Sequence, residues 1–243
     1  MPVHSAGLLN PLGINSKTKY NMAYFTQDSL TFLKELQENN NREWFNSNKK
    51  RYEQNVKIPF ENFVGHLIDS LQPHFESLAI TPKDAIFRIY RDVRFSKDKS
   101  PYKTKMSAII SPGGRKNKTI PGIYIECSAD DVRVYSGLYQ LDSKQLQNVR
   151  THISYNLDNF KKLISNKDFV QTFGEIRGEK NKRLPKEFLE DAELQPLMFN
   201  KSFYYFASFK PEMILSDTLT EKMVAAFLVA KPVSEFLYEG MLD

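Results

Sequence analysis

A basic segment of seventeen residues carries the side chains of this chain that are best suited to chemistry. Its sequence, FRIYRDVRFSKDKSPYK at positions 87–103, contains six basic residues, two aspartates and four aromatic residues. Arginine can bind phosphate or carboxylate oxygens through two parallel hydrogen bonds, whereas lysine supplies a compact positive charge. The segment therefore predicts an anion-binding site. Its candidate ligand-binding residues are Arg88, Tyr90, Arg91, Arg94, Lys97, Lys99, Tyr102 and Lys103.

The net charge of the chain is concentrated in the same region. From 88 to 105 there are seven basic and two acidic residues, and removing them from the totals of 34 and 29 leaves 27 of each elsewhere. The formal net charge of +5 is therefore local. A local positive field favours an anionic partner, either a small molecule or single-stranded nucleic acid. Duplex DNA is disfavoured, because neither a helix-turn-helix nor a zinc-finger signature occurs.

Three hypotheses for the basic segment follow from these residue types. In our working hypothesis it binds an anionic, phosphorylated ligand, and nearby tyrosines add contacts. In the second hypothesis its arginines pair with Asp92, Asp98 and Glu126 and brace the loop against the sheet. In the third the chain is a phosphoester hydrolase, and the same three carboxylates are the candidate general bases. The sequence leaves open whether the protein is an enzyme.

Several other chemistries lack the residues that they need. The four histidines and the single cysteine never fall at a metal-ligand spacing, so we predict no dedicated metal site. A nucleophile elbow, a GxxxxGK[ST] phosphate loop and a dinucleotide GxGxxG are absent, and no cofactor is indicated. The single cysteine, Cys127, excludes an internal disulfide and fits a reducing compartment. We predict that its thiol packs inward and is unreactive.

Hydrophobic periodicity predicts helices on both sides of the basic segment. Leucines at helical spacing, such as Leu30, Leu33 and Leu36, indicate the first of them. We predict helices before the segment at 26–40, 41–56 and 58–75, and after it at about 142–155, 157–172, 189–196 and 217–237. The last helix is expected to be interrupted near Pro232, because proline cannot donate a backbone hydrogen bond.

Runs of β-branched and aromatic residues predict five strands, at 84–90, 104–110, 119–128, 131–139 and 202–209. The third and fourth strands are predicted to form a hairpin in which Glu126 faces Arg133 and Tyr124 faces Tyr135. This register puts the apolar residues of both strands on the opposite face. It also predicts an ordinary cross-strand ion pair between Glu126 and Arg133. The fifth run, SFYYFASF, is apolar on both faces, which is typical of a central strand.

The order of helices, then strands, then helices indicates an α+β fold with a mainly antiparallel sheet of about five strands and flanking helices. We predict a single domain over residues 25–243 and an N-terminal extension over 1–24. Residues 1–21 are expected to be loosely held, with Met22 as a candidate native start. The chain shows no basic leader and no apolar run long enough to span a membrane. With the single cysteine, these features predict a cytoplasmic protein without a membrane partner.

The basic segment also contains a long sequence pattern, close to FRxxRDxRFSxDKxPYK. Its matching residues here are Phe87, Arg88, Arg91, Asp92, Arg94, Phe95, Ser96, Asp98, Lys99, Pro101, Tyr102 and Lys103. Together with NNREWF, GIYIECSADDVRVYSGLYQ and KSFYYFASF, the pattern resembles the signature of a mostly bacterial family that is classed only as a domain of unknown function. The likeness covers about residues 25–238, with a looser match at 182–196. It implies membership of that family but no activity, cofactor or catalytic residue.

Overall fold

The computed structural model describes residues 22–116 and 120–242. The predictions for residues 1–21 lie outside these ranges. Tyr24 already packs against the folded domain, because its ring centroid lies 5.6 Å from that of Phe63 and its hydroxyl lies 2.9 Å from Nδ1 of His66. Contacts with the core therefore begin no later than Tyr24.

Helices flank a central sheet in the chain order that the sequence predicts. In the described residues they are α1 Gln27–Glu38, α2 Arg42–Ser47, α3 Lys49–Tyr52, α4 Ile58–Leu71, α5 Pro82–Ala85, α6 Ser143–Tyr155, α7 Leu157–Ile164, α8 Lys167–Phe173, α9 Leu189–Leu194 and α10 Leu219–Leu242. The predicted second helix is divided at Asn48, and the predicted helix at 157–172 is divided into α7 and α8. One π-helical turn, Glu53–Lys57, connects α3 to α4.

Local sequence signals explain where the main helices begin and what they bury. Thr26 is the N-cap of α1, and its backbone N–H donates to the Ser29 hydroxyl at 3.1 Å. Pro59 lies in the first turn of α4, where its missing N–H is not needed. The prediction of an interruption at Pro232 is wrong, because α10 continues through it. Buried side chains beyond the proline, such as Phe236, supply packing that offsets the lost hydrogen bond.

The described residues form a four-stranded antiparallel sheet, which confirms the α+β class. The strands are β1 Lys105–Ile110, β2 Ile123–Ser128, β3 Val132–Leu138 and β4 Phe203–Phe209, and their order in the sheet is β1-β2-β3-β4. The predicted hairpin register is confirmed, because Glu126 is the partner of Arg133 and Tyr124 is the partner of Tyr135.

The prediction of a fifth strand at 84–90 is wrong. The strand-like pairing of this stretch with the following chain is limited to two isolated bridges, Ile86 with Ala108 and Tyr90 with Tyr102. The backbone hydrogen bonds beside them, from Phe87 to Ser107 and from Lys103 to Ile89, do not extend into a ladder. From one bridge to the other the chain advances four residues on the first side, from 86 to 90, and six residues on the second side, between 102 and 108. A regular ladder needs equal advances, so it cannot form here. Pro101 lies just beyond the second bridge and has no N–H to donate, so it cannot supply the next ladder hydrogen bond there.

Strand β4 lies at an edge of the sheet rather than at its centre, contrary to the prediction. Its outer edge is partly covered by bridges from Arg177 to Tyr204 and from Lys180 to Asn200. Its inward residues pack in the core: Tyr205 is fully buried, and its hydroxyl donates to the carbonyl oxygen of Ala230 at 2.8 Å. The apolar residues on the other face of β4 therefore need a different explanation, which the cavity on that face provides.

Cys127 lies on the inward face of β2 and is buried. Burial raises the pKa of its thiol to about 12, so almost no nucleophilic thiolate forms near neutral pH. We expect Cys127 to react with a disulfide reagent such as DTNB at least about 100-fold more slowly in the native protein than in guanidinium chloride. The increase in absorbance at pH 8 measures both rates. Stoichiometric labelling of the native protein within minutes would contradict this placement.

Candidate functional site

A cavity of about 690 Å³ lies against the outer face of the sheet. We call it the sheet cavity. All four strands contribute to its lining, together with the start and the end of the basic segment. Six of its described lining side chains are aromatic: Phe87, Tyr124, Tyr135, Tyr139, Tyr204 and Phe206. This explains why β4 is apolar on both faces, since Tyr204 and Phe206 point to the cavity while their neighbours point to the core.

Strand register places three of these rings in one row across the sheet. Tyr124 is the partner of Tyr135, which in turn is the partner of Phe206. The ring centroids of the first pair are 5.7 Å apart and those of the second pair are 4.9 Å apart. The ring of Phe87 meets Tyr124 edge-on at 5.9 Å. We call Tyr124, Tyr135 and Phe206 the aromatic row; it forms the floor of the sheet cavity.

A buried carboxylate lies beside the aromatic row. Glu126 is only 6% exposed, and its Oε1 accepts the hydroxyl of Tyr124 at 2.8 Å and contacts Nζ of Lys105 at 2.5 Å. The hydroxyl of Tyr135 donates to Oε2 at 3.3 Å. Burial raises the pKa of both phenols, so they remain protonated donors at neutral pH. The ion pair of Glu126 is thus with Lys105, whereas the predicted partner Arg133 pairs with Asp131 at 2.5 Å.

Cationic groups surround the aromatic rings. The guanidinium carbon of Arg133 lies 5.3 Å from the ring centroid of Phe206, and that of Arg177 lies 4.0 Å from the same centroid. The hydrogen bond with Tyr135 raises the pKa of Arg133, which keeps it charged. Nη1 of Arg177 is buried and has no hydrogen-bond partner among the described residues. Nζ of Lys103 lies 5.1 Å from the ring centroid of Phe87 at the other side of the cavity.

A second cavity, of about 310 Å³, lies next to the basic segment. We call it the loop cavity. Its charged lining residues in the described chain are Arg91, Asp98, Lys103 and Lys105, three cations against one carboxylate. Lys103 lines both cavities, and Lys105 lines the loop cavity while it pairs with Glu126 at the sheet cavity. The two cavities are therefore neighbours joined at these lysines.

The structure divides the eight predicted ligand residues, all of which are described, into three groups. Lys103 lines both cavities, whereas Arg91 and Tyr102 line the loop cavity but not the sheet cavity. The other five are Arg88, Tyr90, Arg94, Lys97 and Lys99, which line neither of the two cavities and are exposed. The sheet cavity thus takes one cation from the predicted set and gains Arg133, which the set did not include.

Much of the charge in the basic segment is used within its own loop. Arg91 forms an ion pair with Asp98 and donates to the carbonyl oxygen of Ser100 at 3.1 Å. Arg94 pairs with Asp92 at 2.7 Å. The ammonium of Lys99 donates to the carbonyl oxygen of Val93 at 3.0 Å. Two arginine–carboxylate pairs named by the bracing hypothesis therefore occur, but both lie within the loop, whereas Glu126 of the sheet pairs with Lys105 and not with an arginine.

Tyr102 anchors the end of the basic segment to the helices. It is 3% exposed, and its ring is stacked on Phe45 with centroids 3.9 Å apart. The side chain of Asn40 contacts the backbone of Tyr102 through two hydrogen bonds, of 2.9 and 3.1 Å. The ring of Tyr90 lies 5.4 Å from that of Tyr102 but is half exposed. Because Tyr102 is anchored in this way, its neighbour Lys103 is also held in place. Lys103 forms part of the wall of both cavities.

The three candidate catalytic carboxylates do not line one cavity. Glu126 lines the sheet cavity, Asp98 lines the loop cavity and Asp92 lines neither. Hydrogen bonds from Ser100 and Arg91 hold the pKa of Asp98 well below its usual range, and Arg94 lowers the pKa of Asp92 in the same way. Within the described ranges, no three His, Cys, Asp or Glu side chains are grouped so that they could hold a metal ion.

The sequence analysis missed three aromatic residues that line the sheet cavity, Tyr139, Tyr204 and Phe206, and also Arg177, which contacts the ring of Phe206. The signal for Phe206 was available, because Tyr135 and Phe206 are neighbours once β4 is paired with β3. Arg177 had no such signal. It lies in an irregular stretch and reaches Phe206 only through the bridge with Tyr204.

Fold and site together define an α+β protein whose antiparallel sheet packs helices on one face and presents an aromatic, cationic cavity on the other. The chain belongs to the family described as conserved hypothetical protein (DUF2461), whose model matches residues 28–236. This confirms the family resemblance noted in the sequence. No curated protein and no solved structure matched the chain. None of the helices in the described residues is both long and apolar enough to cross a membrane.

Proposed function

We propose that the protein binds a phosphorylated small molecule with a planar ring in the sheet cavity. The ring would lie against the aromatic row, and the phosphate would lie near Lys103. The observation that carries this proposal is the row of Tyr124, Tyr135 and Phe206 with cationic groups at both sides. Stacking on an aromatic side chain contributes about 1–3 kcal/mol per base.

Size and charge support the same ligand class. A volume of about 690 Å³ lies within the usual range for small-molecule sites. The charged residues in the described lining are Lys103, Arg133 and Glu126. Glu126 is already compensated by Lys105 and by two phenol donors, so it opposes an incoming anion weakly. Binding is proposed rather than hydrolysis because only one of the three candidate general bases faces this cavity.

A thermal-shift screen tests the proposal with nucleoside monophosphates, sugar phosphates and inorganic phosphate, each at low and high salt. A ligand that binds only the native state raises Tm by mass action. We expect nucleoside monophosphates to raise Tm more than phosphate alone, because only they can stack. Calorimetry of the best ligand should show a roughly 10- to 100-fold loss of affinity for Phe206→Ala.

Two further variants separate charge from stacking. Lys103→Gln should weaken the same ligand and reduce the salt dependence of its binding, because one cation near the phosphate is removed. Lys97→Gln is the matched control, since Lys97 is exposed and lines neither cavity. Equal affinities for the wild type, Phe206→Ala and Lys103→Gln would exclude the sheet cavity as the binding site. A screen in which no compound raises Tm would exclude the proposed function.

A further inference from the structure

We infer that the physiological ligand is a single-stranded nucleic acid, bound along a path from the sheet cavity over Lys103 to the loop cavity and the exposed ring of Phe95. This inference rests on the proposed function, because one nucleotide of the strand occupies the sheet cavity. It goes further by extending the site beyond a single nucleotide.

Continuity of the two cavities is the first observation. Lys103 lines both of them, so the two cavities adjoin at this side chain, and a strand that leaves the sheet cavity over Lys103 would reach the loop cavity. The loop cavity is lined by three cations and one carboxylate; Arg91 is paired with Asp98, and Lys105 is paired with Glu126 of the sheet cavity. Three cations against these two carboxylates leave a net charge of +1. A mononucleotide would fill the sheet cavity and leave this second, cationic cavity empty. A longer strand would place backbone phosphates there.

The second observation is an exposed aromatic ring on an ordered loop. Phe95 is 95% exposed, which leaves its ring accessible for stacking with a base. The loop around it has internal contacts: Arg94 is paired with Asp92, and Lys99 donates to the carbonyl oxygen of Val93. The guanidinium carbon of Arg94 lies 5.9 Å from the ring centroid and leaves the ring open to solvent.

The alternation of these features matches the chemistry of a single strand. Along the chain, Lys97 and Lys99 lie between Phe95 and Lys103 of the sheet cavity, and a nucleic acid alternates bases with phosphates. Exposed Arg88 and Lys97 add positive charge to the same segment. A duplex hides the faces of its bases, so its bases could not stack on these rings. One exposed phenylalanine among exposed cations also gives little apolar area for inserting into a lipid surface.

Fluorescence anisotropy with a 5′-labelled dodecamer of deoxythymidine tests the inference, and calorimetry with thymidine monophosphate provides the reference. We expect the dodecamer to bind at least about tenfold more tightly than the mononucleotide, with an affinity that falls as salt rises. Phe95→Ser should weaken the dodecamer at least about fivefold and leave the mononucleotide unchanged. Tyr155→Ser is the matched control: Tyr155 is 85% exposed on α6 and lines neither cavity.

Each outcome separates this inference from the proposed function. Binding of the mononucleotide with no gain for the dodecamer would overturn the inference and leave the proposed function standing. Failure of both ligands would overturn both. Equal binding of a duplex of the same length would overturn the single-strand assignment. Phe95-dependent binding to phosphatidylserine vesicles, without binding of the dodecamer, would overturn the inference in favour of a membrane surface.

Discussion

Alanine at Gly137 is expected to destabilise the domain by at least about 3 kcal/mol. Gly137 has a φ of +92°, a conformation that residues with a side chain rarely adopt. A Cβ added there would lie 2.2 Å from the carbonyl oxygen of Phe203 and 3.1 Å from Cα of Tyr204. Backbone atoms cannot rotate away as a flexible side chain can. Strand β4 would have to separate from β3, and Tyr204 would move with it at the sheet cavity.

A second glycine provides the control for backbone strain alone. Gly174 has a φ of +75°, but a Cβ added there would meet nothing within 4 Å. Gly174→Ala should therefore lose only the conformational cost of a sparsely populated backbone region, about 1–3 kcal/mol. Urea unfolding of both variants, followed by circular dichroism, measures the two losses. Equal losses would mean that β3 and β4 relax to accept the extra methyl group, and that their close approach is not required.

Local patterns were sufficient to predict several parts of this fold. Alternation supported the predicted register of the hairpin, because that pairing places Ile125 and Val134 on the buried face together with Cys127. The helix at Gln27–Glu38 followed from leucine spacing. Both signals depend on neighbouring residues in the chain, and tertiary contacts agreed with them.

Other features depended on contacts between distant residues. The run at 84–90 alternates like a strand, but its bridges to Ala108 and Tyr102 are out of register, which no local pattern reports. The sequence SFYYFASF was assigned to the sheet centre because both of its faces are apolar. An edge strand with a cavity on one face gives the same pattern, so composition alone could not distinguish the two.

The basic segment shows the same limit for the candidate site. Its net charge was visible in the sequence, but the pairing of Arg91 with Asp98 and of Arg94 with Asp92 was only one of three hypotheses. These contacts explain how so many charges can share one ordered loop. The carboxylates orient the arginines, as the bracing hypothesis requires, while the aromatic groups at the sheet cavity come from β2, β3 and β4. A bracing role for the arginines is therefore compatible with ligand binding at Lys103.

Phe45→Ala is expected to lower the free energy of unfolding by about 3–5 kcal/mol, the usual cost of truncating a buried phenylalanine. Phe45 is 1% exposed and contacts the rings of Tyr52 at 5.1 Å and Tyr102 at 3.9 Å. Its loss removes the surface on which Tyr102 stacks. We therefore expect the basic segment to open locally, in addition to the global loss of stability, which urea unfolding measures.

Limited trypsin digestion under native conditions separates the local effect from the global one, since the basic segment offers several arginine and lysine sites. Phe60→Ala is the matched control: Phe60 is fully buried and packs against Phe25 and Phe63, and its truncation should cost a similar free energy. Faster cleavage within 88–103 in Phe45→Ala than in Phe60→Ala would show that Tyr102 anchors the segment. Equal cleavage would mean instead that the ion pairs of Arg91 and Arg94 hold the loop without this anchor, and Lys103 would then keep its position when Phe45 is lost.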